Sequence, residues 1–201
     1  MLGGNGFRTT TFGSLMVAWL LRGNKRLSGN MADMTIAQAG QPTPQKPRGY
    51  GMIQYESQET LREAREKYFA KSGFDQTTYI VPWSRVKVGP MAWYVPNTPM
   101  RKRALPLHDL HHIATGYGTT LFGEAEISAW EVGSGELGKY PNGWPYVLVL
   151  IVVGLLLNPR ATINAFQRGR SCTNLFWTEF KAELLSTTVG DLRRNLGIQK
   201  N

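Results

Sequence analysis

All three histidines of this chain fall within the five residues HDLHH, as His108, His111 and His112. On a helix, His108 and His112 are about one turn apart, so both imidazole rings project from the same face. Asp109 follows His108 directly and is close enough to join them. A divalent metal can take this arrangement from one helix and complete its coordination with oxygen ligands from elsewhere. The spacing therefore predicts a metal site that uses His108, Asp109 and His112, with His111 pointing off that face towards an outer layer or solvent.

The next candidate ligand is Glu124, which follows a short glycine-containing turn. Such a turn makes the flanking helices antiparallel neighbours, so Glu124 can return to the histidine face. Glu131 lies two turns further along and is an additional ligand candidate, whereas Glu126 lies about 200° round from Glu124 and is expected to be solvated or ion-paired. Two imidazole nitrogens and two carboxylate oxygens suit Zn²⁺, Fe²⁺ or Mn²⁺ and do not choose among them. The alternative for His108 and His112 is a hydrogen-bonded pair that binds no metal.

His108-Asp109, His112 and, after eleven intervening residues, Glu124 form the signature HDxxHx11E. It resembles the signature of the coenzyme Q biosynthesis family whose eukaryotic member is the fourth protein of the ubiquinone pathway, and HDLHH and GEAEISAWE are similar to a bacterial branch. The similarity covers roughly residues 60–198. The resemblance implies an all-α, membrane-peripheral, prenyl-lipid-binding protein in which His108, Asp109, His112 and Glu124 are the metal ligands. It further implies a part in organising a ubiquinone-synthesis complex and in oxidative decarboxylation with hydroxylation at ring carbon C1.

Composition excludes several other classes of protein. The 201 residues are 42% hydrophobic and 18% charged, which is a globular composition and not that of a disordered chain. The single cysteine, Cys172, rules out an internal disulfide framework and a zinc finger. The net charge of +9 indicates an anionic partner, such as acidic lipid or a phosphorylated or carboxylated substrate. Because the basic residues are scattered and no reader motif is present, nucleic acid is not an expected partner.

Two apolar runs bear on membrane attachment. Val147–Leu157 is shorter than the roughly 20 residues that cross a bilayer, so it predicts a buried helix or one side of a lipid-facing groove. Phe12–Leu21 has most of its flanking positive charge after it and no suitable cleavage site, which argues against a secretory signal. This second run is either a poorly ordered arm or a basic anchor on anionic lipid. No transmembrane span is predicted, and the expected location is cytoplasmic, with peripheral attachment to the inner face of the membrane.

The chain is expected to divide near Gly49. Residues 1–48 are interpreted as a flexible basic arm with a Pro-rich linker, and residues 49–201 as a helical metal-binding domain. The patterning predicts an all-α (mainly α) fold with a small β-hairpin or extended strap near residues 77–95. Helices are predicted over residues 57–72, 107–115, 120–132, 146–169 and 178–196, the fourth of them kinked or divided at Pro159.

Residues outside the metal motif offer contacts to an amphiphilic substrate. Arg101 and Arg103, just before the histidine motif, are candidates for binding a carboxylate, a phosphate or a lipid head group; the alternative is a solvated basic turn. One face of the apolar run is a candidate groove for a lipid tail; the alternative is ordinary hydrophobic core. The candidate groove residues are Trp144, Val147, Ile151 and Leu155.

Three functions are compatible with these residues. The first is a metal-dependent decarboxylase or hydroxylase of ubiquinone or prenyl-quinone biosynthesis, which would need iron or manganese for redox turnover because Zn²⁺ has no redox chemistry. The second is a non-catalytic prenyl-lipid-binding scaffold with a structural metal. The third, a metal-dependent phosphohydrolase, typically needs another histidine before the His-Asp doublet, and none precedes His108. Expected partners are a prenylated quinone precursor or prenyl lipid, a membrane surface and other quinone-biosynthesis proteins.

Overall fold

The computed structural model describes residues 54–88, 91–135 and 137–198. This part of the chain contains six α-helices and one two-stranded antiparallel hairpin, which confirms the mainly α fold with a small β-hairpin. The predicted arm and linker of residues 1–48, with the run Phe12–Leu21, lie outside the described residues. The helices are α1 (Leu61–Ser72), α2 (Pro99–Thr115), α3 (Leu121–Gly133), α4 (Trp144–Leu157), α5 (Pro159–Gly169) and α6 (Val189–Leu196), and the strands are β1 (Trp83–Val88) and β2 (Met91–Pro96).

Helix α2 carries the histidine motif and is longer than the sequence pattern indicates. It begins at Pro99 instead of Leu107, because the Thr98 side chain accepts the N–H of Arg101 and proline suits the first turn of a helix. Pro106 lies inside the helix, where it removes one backbone donor without ending the helix. The basic residues before the motif are therefore helical and do not form a turn.

The predicted helix over residues 146–169 is divided into α4 and α5, which confirms the second of the two alternatives at Pro159. The side chain of Asn158 accepts the N–H of Ala161 and so caps the start of α5. In the part of the chain that the structure describes, no helix combines the length and the apolarity that a membrane crossing requires.

The prediction of a helix over residues 178–196 is wrong for the first half of that range. A 3₁₀ segment occupies Ala182–Ser186, and α6 begins only after Thr188. Thr188 and Asp191 form a capping box, in which each side chain accepts the backbone N–H of the other residue. This reciprocal cap places a helix start in the middle of the predicted segment.

The core that supports the site is built around α2 and α3. Leu110 of α2 and Trp130 of α3 are almost completely buried in it. Helix α5 packs so closely on α3 that a Cβ on Gly169 would lie 2.3 Å from the carbonyl oxygen of Trp130. A Cβ on Gly133 would likewise lie 2.3 Å from the carbonyl oxygen of Phe166. Because α3 carries both candidate glutamates, this backbone contact helps to fix their position.

Candidate metal centre

Three of the predicted ligands converge in the structure. His108 and His112 of α2 bring their Nε2 atoms to 3.1 Å from each other. The Glu124 carboxylate of α3 lies 3.5 Å from both, with Oε2 near His108 and Oε1 near His112. These three residues, called the metal group below, could hold a metal ion.

Hydrogen bonds decide which nitrogen of each histidine faces the metal group. Nδ1 of His108 lies 2.7 Å from Oε1 of Glu131, and Nδ1 of His112 lies 2.9 Å from the backbone oxygen of Tyr117. A carboxylate and a carbonyl can only accept, so both Nδ1 atoms carry a proton. In the neutral rings, the two Nε2 atoms then direct lone pairs at the same region. Because lone pairs this close repel, the arrangement is favourable only with a metal cation or a proton between them.

His111 and Glu131 support the metal group from outside. His111 donates from Nδ1 to Oε1 of Glu131 at 2.8 Å, and its Nε2 accepts the N–H of Leu175 at 2.9 Å. Both of its nitrogens are therefore occupied. Glu131, the additional ligand candidate, accepts from His108 and His111 through nitrogens on the far side of the rings from Nε2. It orients a ligand histidine instead of joining the ligands, which is the usual role of a carboxylate behind a metal-binding imidazole.

The predicted ligand Asp109 is hydrogen-bonded to two tyrosines. Its Oδ1 accepts the hydroxyl of Tyr68 at 3.1 Å, and its Oδ2 accepts a short hydrogen bond from the hydroxyl of Tyr79. Tyr68 lies on α1 and Tyr79 at the end of a 3₁₀ segment, so both partners come from outside the local motif. Both carboxylate oxygens of Asp109 are thus engaged by hydroxyls, and the residues that converge are His108, His112 and Glu124.

Burial and mutual charge set the protonation of the centre. Burial alone would raise the pKa of Glu131, but His108 and His111 lower it to about 2. Burial also opposes ionisation of Glu124, yet the ligand histidines hold its pKa well below its usual value. Burial disfavours the charged form of His108, but Glu131 and Glu124 raise its pKa well above 6.5. The centre therefore keeps two carboxylates ionised and, without a metal, holds a proton on His108 that a metal cation would have to displace.

The separations suit a divalent metal with three protein ligands. Metal–ligand bonds of about 2.1 Å place neighbouring ligand atoms about 3.4 Å apart in a tetrahedron and about 3.0 Å apart in an octahedron. The two Nε2 atoms are 3.1 Å apart, and each lies 3.5 Å from a different oxygen of Glu124. One ligand atom from each of the three residues can be chosen so that all lie within 4.8 Å of one another. Two histidines and one carboxylate leave coordination positions for water or substrate, as in catalytic zinc sites and in the facial triad of non-haem iron oxygenases. The donor set can therefore serve a catalytic metal as well as a structural one.

The short turn between α2 and α3 brings Glu124 back to the histidines, as the sequence predicts. The turn is tight enough that a Cβ on Gly123 would lie 2.0 Å from the carbonyl oxygen of Gly118. Only glycine permits that approach. The same turn supplies the Tyr117 carbonyl that accepts from Nδ1 of His112.

The two head-group candidates have different surroundings. Arg101 is partly buried, and its Nη1 donates to Oγ of Ser84 at 3.0 Å and to Oδ1 of Asn97 at 3.2 Å. Burial lowers the pKa of Arg101, whereas Tyr146, Asp109 and Glu124 act to raise it. Arg103 is exposed to solvent. Of the two, Arg101 is the one whose side chain is held by hydrogen bonds to residues before α2.

The tail-groove candidates differ in their burial. Val147 is 9% exposed, and Trp144 and Ile151 pack with it in a second apolar cluster. Val147 is therefore part of the core, and Trp144 and Ile151 are partly buried beside it, so their role in a groove stays a prediction. Leu155 is 42% exposed and belongs to the solvent-facing side of α4. This side, called the α4 face below, comprises Leu148, Val149, Val152, Leu155 and Leu156.

Several parts of the site are not visible in the sequence. Tyr68 belongs to the predicted apolar stripe of α1, but its ring also packs against His112 with the ring centroids 5.6 Å apart. Tyr79 lies in the predicted strap, which the sequence did not connect with the histidines. Leu175 contributes a backbone N–H, and because every residue except proline has one, the residue type could not have indicated this contact. Glu126, expected to be solvated or ion-paired, is 6% exposed, and its Oε2 has no hydrogen-bond partner among the described residues.

No protein-family model, curated protein or solved structure is recognisably similar to this chain. The class of protein is therefore defined by the fold and the site alone. The described part of the chain is a mainly α domain in which two neighbouring helices supply the His-His-Glu metal group.

Replacing Glu131 by glutamine is expected to weaken metal binding by about 10- to 100-fold without abolishing it. The amide keeps the shape of the side chain but loses the charge that accepts from His108 and His111. Competition with a chromophoric chelator measures the affinity. Glu126→Gln is the matched control, since Glu126 is a buried carboxylate on the same helix that does not contact the metal group. Equal losses in the two variants would contradict the orienting role of Glu131.

Proposed function

We propose that this chain is a divalent-metal-dependent enzyme of prenyl-quinone biosynthesis that acts on a prenylated aromatic acid. The observation that carries the proposal is the convergence of the two Nε2 atoms of His108 and His112 with the Glu124 carboxylate. The signature HDxxHx11E supports the pathway, since it resembles that of a coenzyme Q biosynthesis family. The open coordination positions of such a centre support binding of a substrate or of oxygen.

The proposed reaction is oxidative decarboxylation with hydroxylation at ring carbon C1. The bond between C1 and the carboxyl carbon breaks and CO₂ leaves, while a bond between C1 and oxygen forms. Converting the acid to the phenol and CO₂ takes up one oxygen atom. Dioxygen with a two-electron reductant and two protons supplies that atom, and the other oxygen atom leaves as water. Iron or manganese held by the metal group would supply the redox chemistry, which Zn²⁺ lacks.

Turnover by protein of known metal content tests the enzymatic function. The protein is purified without chelator, its native metal is measured, and iron-, manganese- and zinc-loaded samples receive a prenylated 4-hydroxybenzoate, dioxygen and a reductant. We expect release of CO₂ and a new ring hydroxyl with iron or manganese, and neither with zinc. Stoichiometric native zinc together with no product from any sample would contradict the redox function.

The alternative function is a non-catalytic prenyl-lipid-binding scaffold with a structural metal. One observation favours it: His108 and His112 lie on α2 and Glu124 lies on α3, so a bound metal would tie the two helices together. In that case, removal of the metal lowers the melting temperature and no metal supports turnover. Other proteins of quinone biosynthesis are the proposed partners of such a scaffold.

We propose further that the α4 face contacts a membrane surface from the side of the cytoplasm. Leu148, Val152 and Leu156 follow one another at helical spacing and are 52%, 49% and 58% exposed. A contiguous exposed apolar surface is typical of an interaction site. Arg160, at the start of α5, is also exposed, and the net charge of +9 favours anionic lipid.

Replacing Leu156 by glutamate is expected to weaken vesicle binding by about tenfold or more, because a leucine side chain would lose its burial in lipid. Co-sedimentation with phosphatidylcholine vesicles, with and without phosphatidylglycerol, measures the binding. Ile80→Glu is the matched control, since Ile80 is 71% exposed and lies outside the α4 face. If both variants bind vesicles equally, the α4 face is not the contact surface.

A further inference from the structure

Arg101 and the two ligand histidines share one face of α2. Arg101 precedes His108 by seven residues and His108 precedes His112 by four, which places the three side chains along one stripe of the helix. The charge of Arg101 interacts with that of Glu124. A cationic side chain therefore stands beside the metal group on the same helix face.

Among the described residues, the Arg101 guanidinium donates its side-chain hydrogen bonds to neutral groups. Its Nη1 donates to Ser84 at 3.0 Å and to Asn97 at 3.2 Å, and these residues are 4% and 5% exposed. In the described ranges of the chain, no carboxylate forms an ion pair with Arg101. The β-hairpin and the segment after it thus orient this cation through neutral groups, while the charges of Asp109 and Glu124 act on it from beyond ion-pair distance. A partly buried charge in such surroundings gains from an anionic partner.

The metal group is open on the side of His108 and Glu124. The side chain of His108 is 21% exposed and that of Glu124 is 25% exposed, whereas that of His112 is fully buried. Tyr146, at the start of α4, is 45% exposed. Met100 and Ala104, which lie near Arg101 on α2, pack in the same apolar cluster as Trp144 of α4. A molecule bound at Arg101 would therefore have the metal group on one side and the beginning of α4 on another.

We infer that Arg101 binds the oxyanion head group, a carboxylate or a phosphate, of an amphiphilic substrate and seats it next to the metal group. The apolar part of that substrate leaves past Tyr146 along α4. The inference rests on the proposed function, because the metal group is what acts on the bound head group. It assigns substrate recognition to Arg101 and not to Arg103.

The chemistry of arginine suits this role. Its planar guanidinium can donate two parallel hydrogen bonds to a carboxylate or a phosphate, and it stays charged when partly buried. The bonds to Ser84 and Asn97 keep the side chain in place before the ligand arrives, which reduces the entropy lost on binding. Arg103 is two residues further along α2 and exposed, so its charge is screened by water and salt.

Calorimetric titration of the zinc-loaded full-length protein tests the inference without turnover. The probes are 4-hydroxybenzoate, phenyl phosphate and the neutral 4-hydroxybenzamide, and metal content and melting temperature are measured for every sample. We expect Arg101→Gln to weaken binding of the preferred anion by about tenfold or more. Arg103→Gln makes the same charge change on the same helix and should alter binding by no more than about twofold. Neither variant should alter binding of the amide.

Two further variants separate recognition from folding. Arg101→Lys keeps the charge but loses the planar pair of donors, so its affinity should lie between those of wild type and Arg101→Gln. Ser84→Ala removes one of the bonds that orient Arg101 and should cause a smaller loss. If Arg101→Gln and Arg103→Gln weaken anion binding equally, or if wild type binds neither anion more tightly than the amide, the inference is overturned.

The metal content of each purified variant, measured before zinc loading and compared with the titration, distinguishes this inference from the proposed function. If purified wild type holds no metal, yet Arg101→Gln binds the anion less tightly than wild type does, the metal-dependent function is refuted and the binding role of Arg101 is supported. If both proteins hold a full equivalent of metal and Arg101→Gln binds the anion as tightly as wild type does, the binding role of Arg101 is refuted and the metal site is supported. Preference for 4-hydroxybenzoate over phenyl phosphate identifies a carboxylate head group, and the reverse preference identifies a phosphate.

Discussion

Replacing His112 by alanine is expected to abolish stoichiometric metal binding. His112 is fully buried, its Nδ1 is held by the Tyr117 carbonyl, and its Nε2 is one of the three atoms that converge. Loss of one of three ligands should weaken affinity by more than the roughly 100-fold that a change behind a ligand can cost. Elemental analysis of the untagged variant beside wild type, both purified without chelator, measures the effect.

His111→Ala provides the contrast, because His111 is the adjacent residue and is equally buried. It uses both nitrogens on Glu131 and on the N–H of Leu175, and it contributes no atom to the metal group. We expect this variant to retain metal and to lose stability, since the Leu175 N–H is left without its acceptor. Retention of one equivalent of metal by His112→Ala, or complete loss of metal only in His111→Ala, would contradict the assignment.

The His112→Ala variant also separates the two proposed functions. If it folds with nearly the melting temperature of wild type but loses turnover, the metal has a catalytic role. If it loses thermal stability and wild type has no turnover with any metal, the metal is structural. Removing metal from wild type with a chelator gives the same comparison without a substitution.

Replacing Gly169 by alanine is expected to destabilise the domain by about 3 kcal/mol or more. The new methyl group would lie 2.3 Å from the carbonyl oxygen of Trp130, and the backbone cannot yield as a flexible side chain can. Helices α3 and α5 must separate to admit it. For a domain of this size, that loss lowers the melting temperature by about 10 °C, which thermal unfolding followed by circular dichroism measures. Because α3 carries Glu124, metal affinity should fall as well.

Gly73→Ala is the control for the Gly169 substitution. Gly73 ends α1 with φ of +71°, and a Cβ there meets nothing within 4 Å. Its replacement should cost about 1 kcal/mol, from backbone conformation alone. A similar small cost for Gly169→Ala would show that α3 and α5 are not in backbone contact, and would remove the account of how Glu124 and Glu131 are held in place.

Local sequence patterns determined the ligand-bearing elements of this site. The spacing of His108 and His112 by four residues places their rings on one helix face, and the glycine turn returns Glu124 to that face. These are consequences of helical geometry and of close backbone approach, which depend on residues near one another in the chain. The mainly α fold and the small hairpin were predictable for the same reason.

Patterns over short distances failed where a cap or a distant element decided the outcome. The Thr98 cap starts α2 well before the histidine motif, and the Thr188–Asp191 capping box starts α6 in the middle of a predicted helix. The apolar run was ambiguous because α4 is apolar on both sides. Packing alone determines that Val147 is buried and that Leu156 is exposed.

Contacts between elements that are distant in the chain set the role of each polar group around the metal group. Asp109 has the right position in the motif, but Tyr68 and Tyr79 hold its two oxygens, and both tyrosines come from other elements. Glu131 lies at the spacing of a ligand, yet it bonds to the Nδ1 atoms of His108 and His111 instead. Because helix periodicity is local, residue spacing was enough to predict which side chains could meet. Which atoms face each other depends on hydrogen-bond partners that only the folded chain brings together.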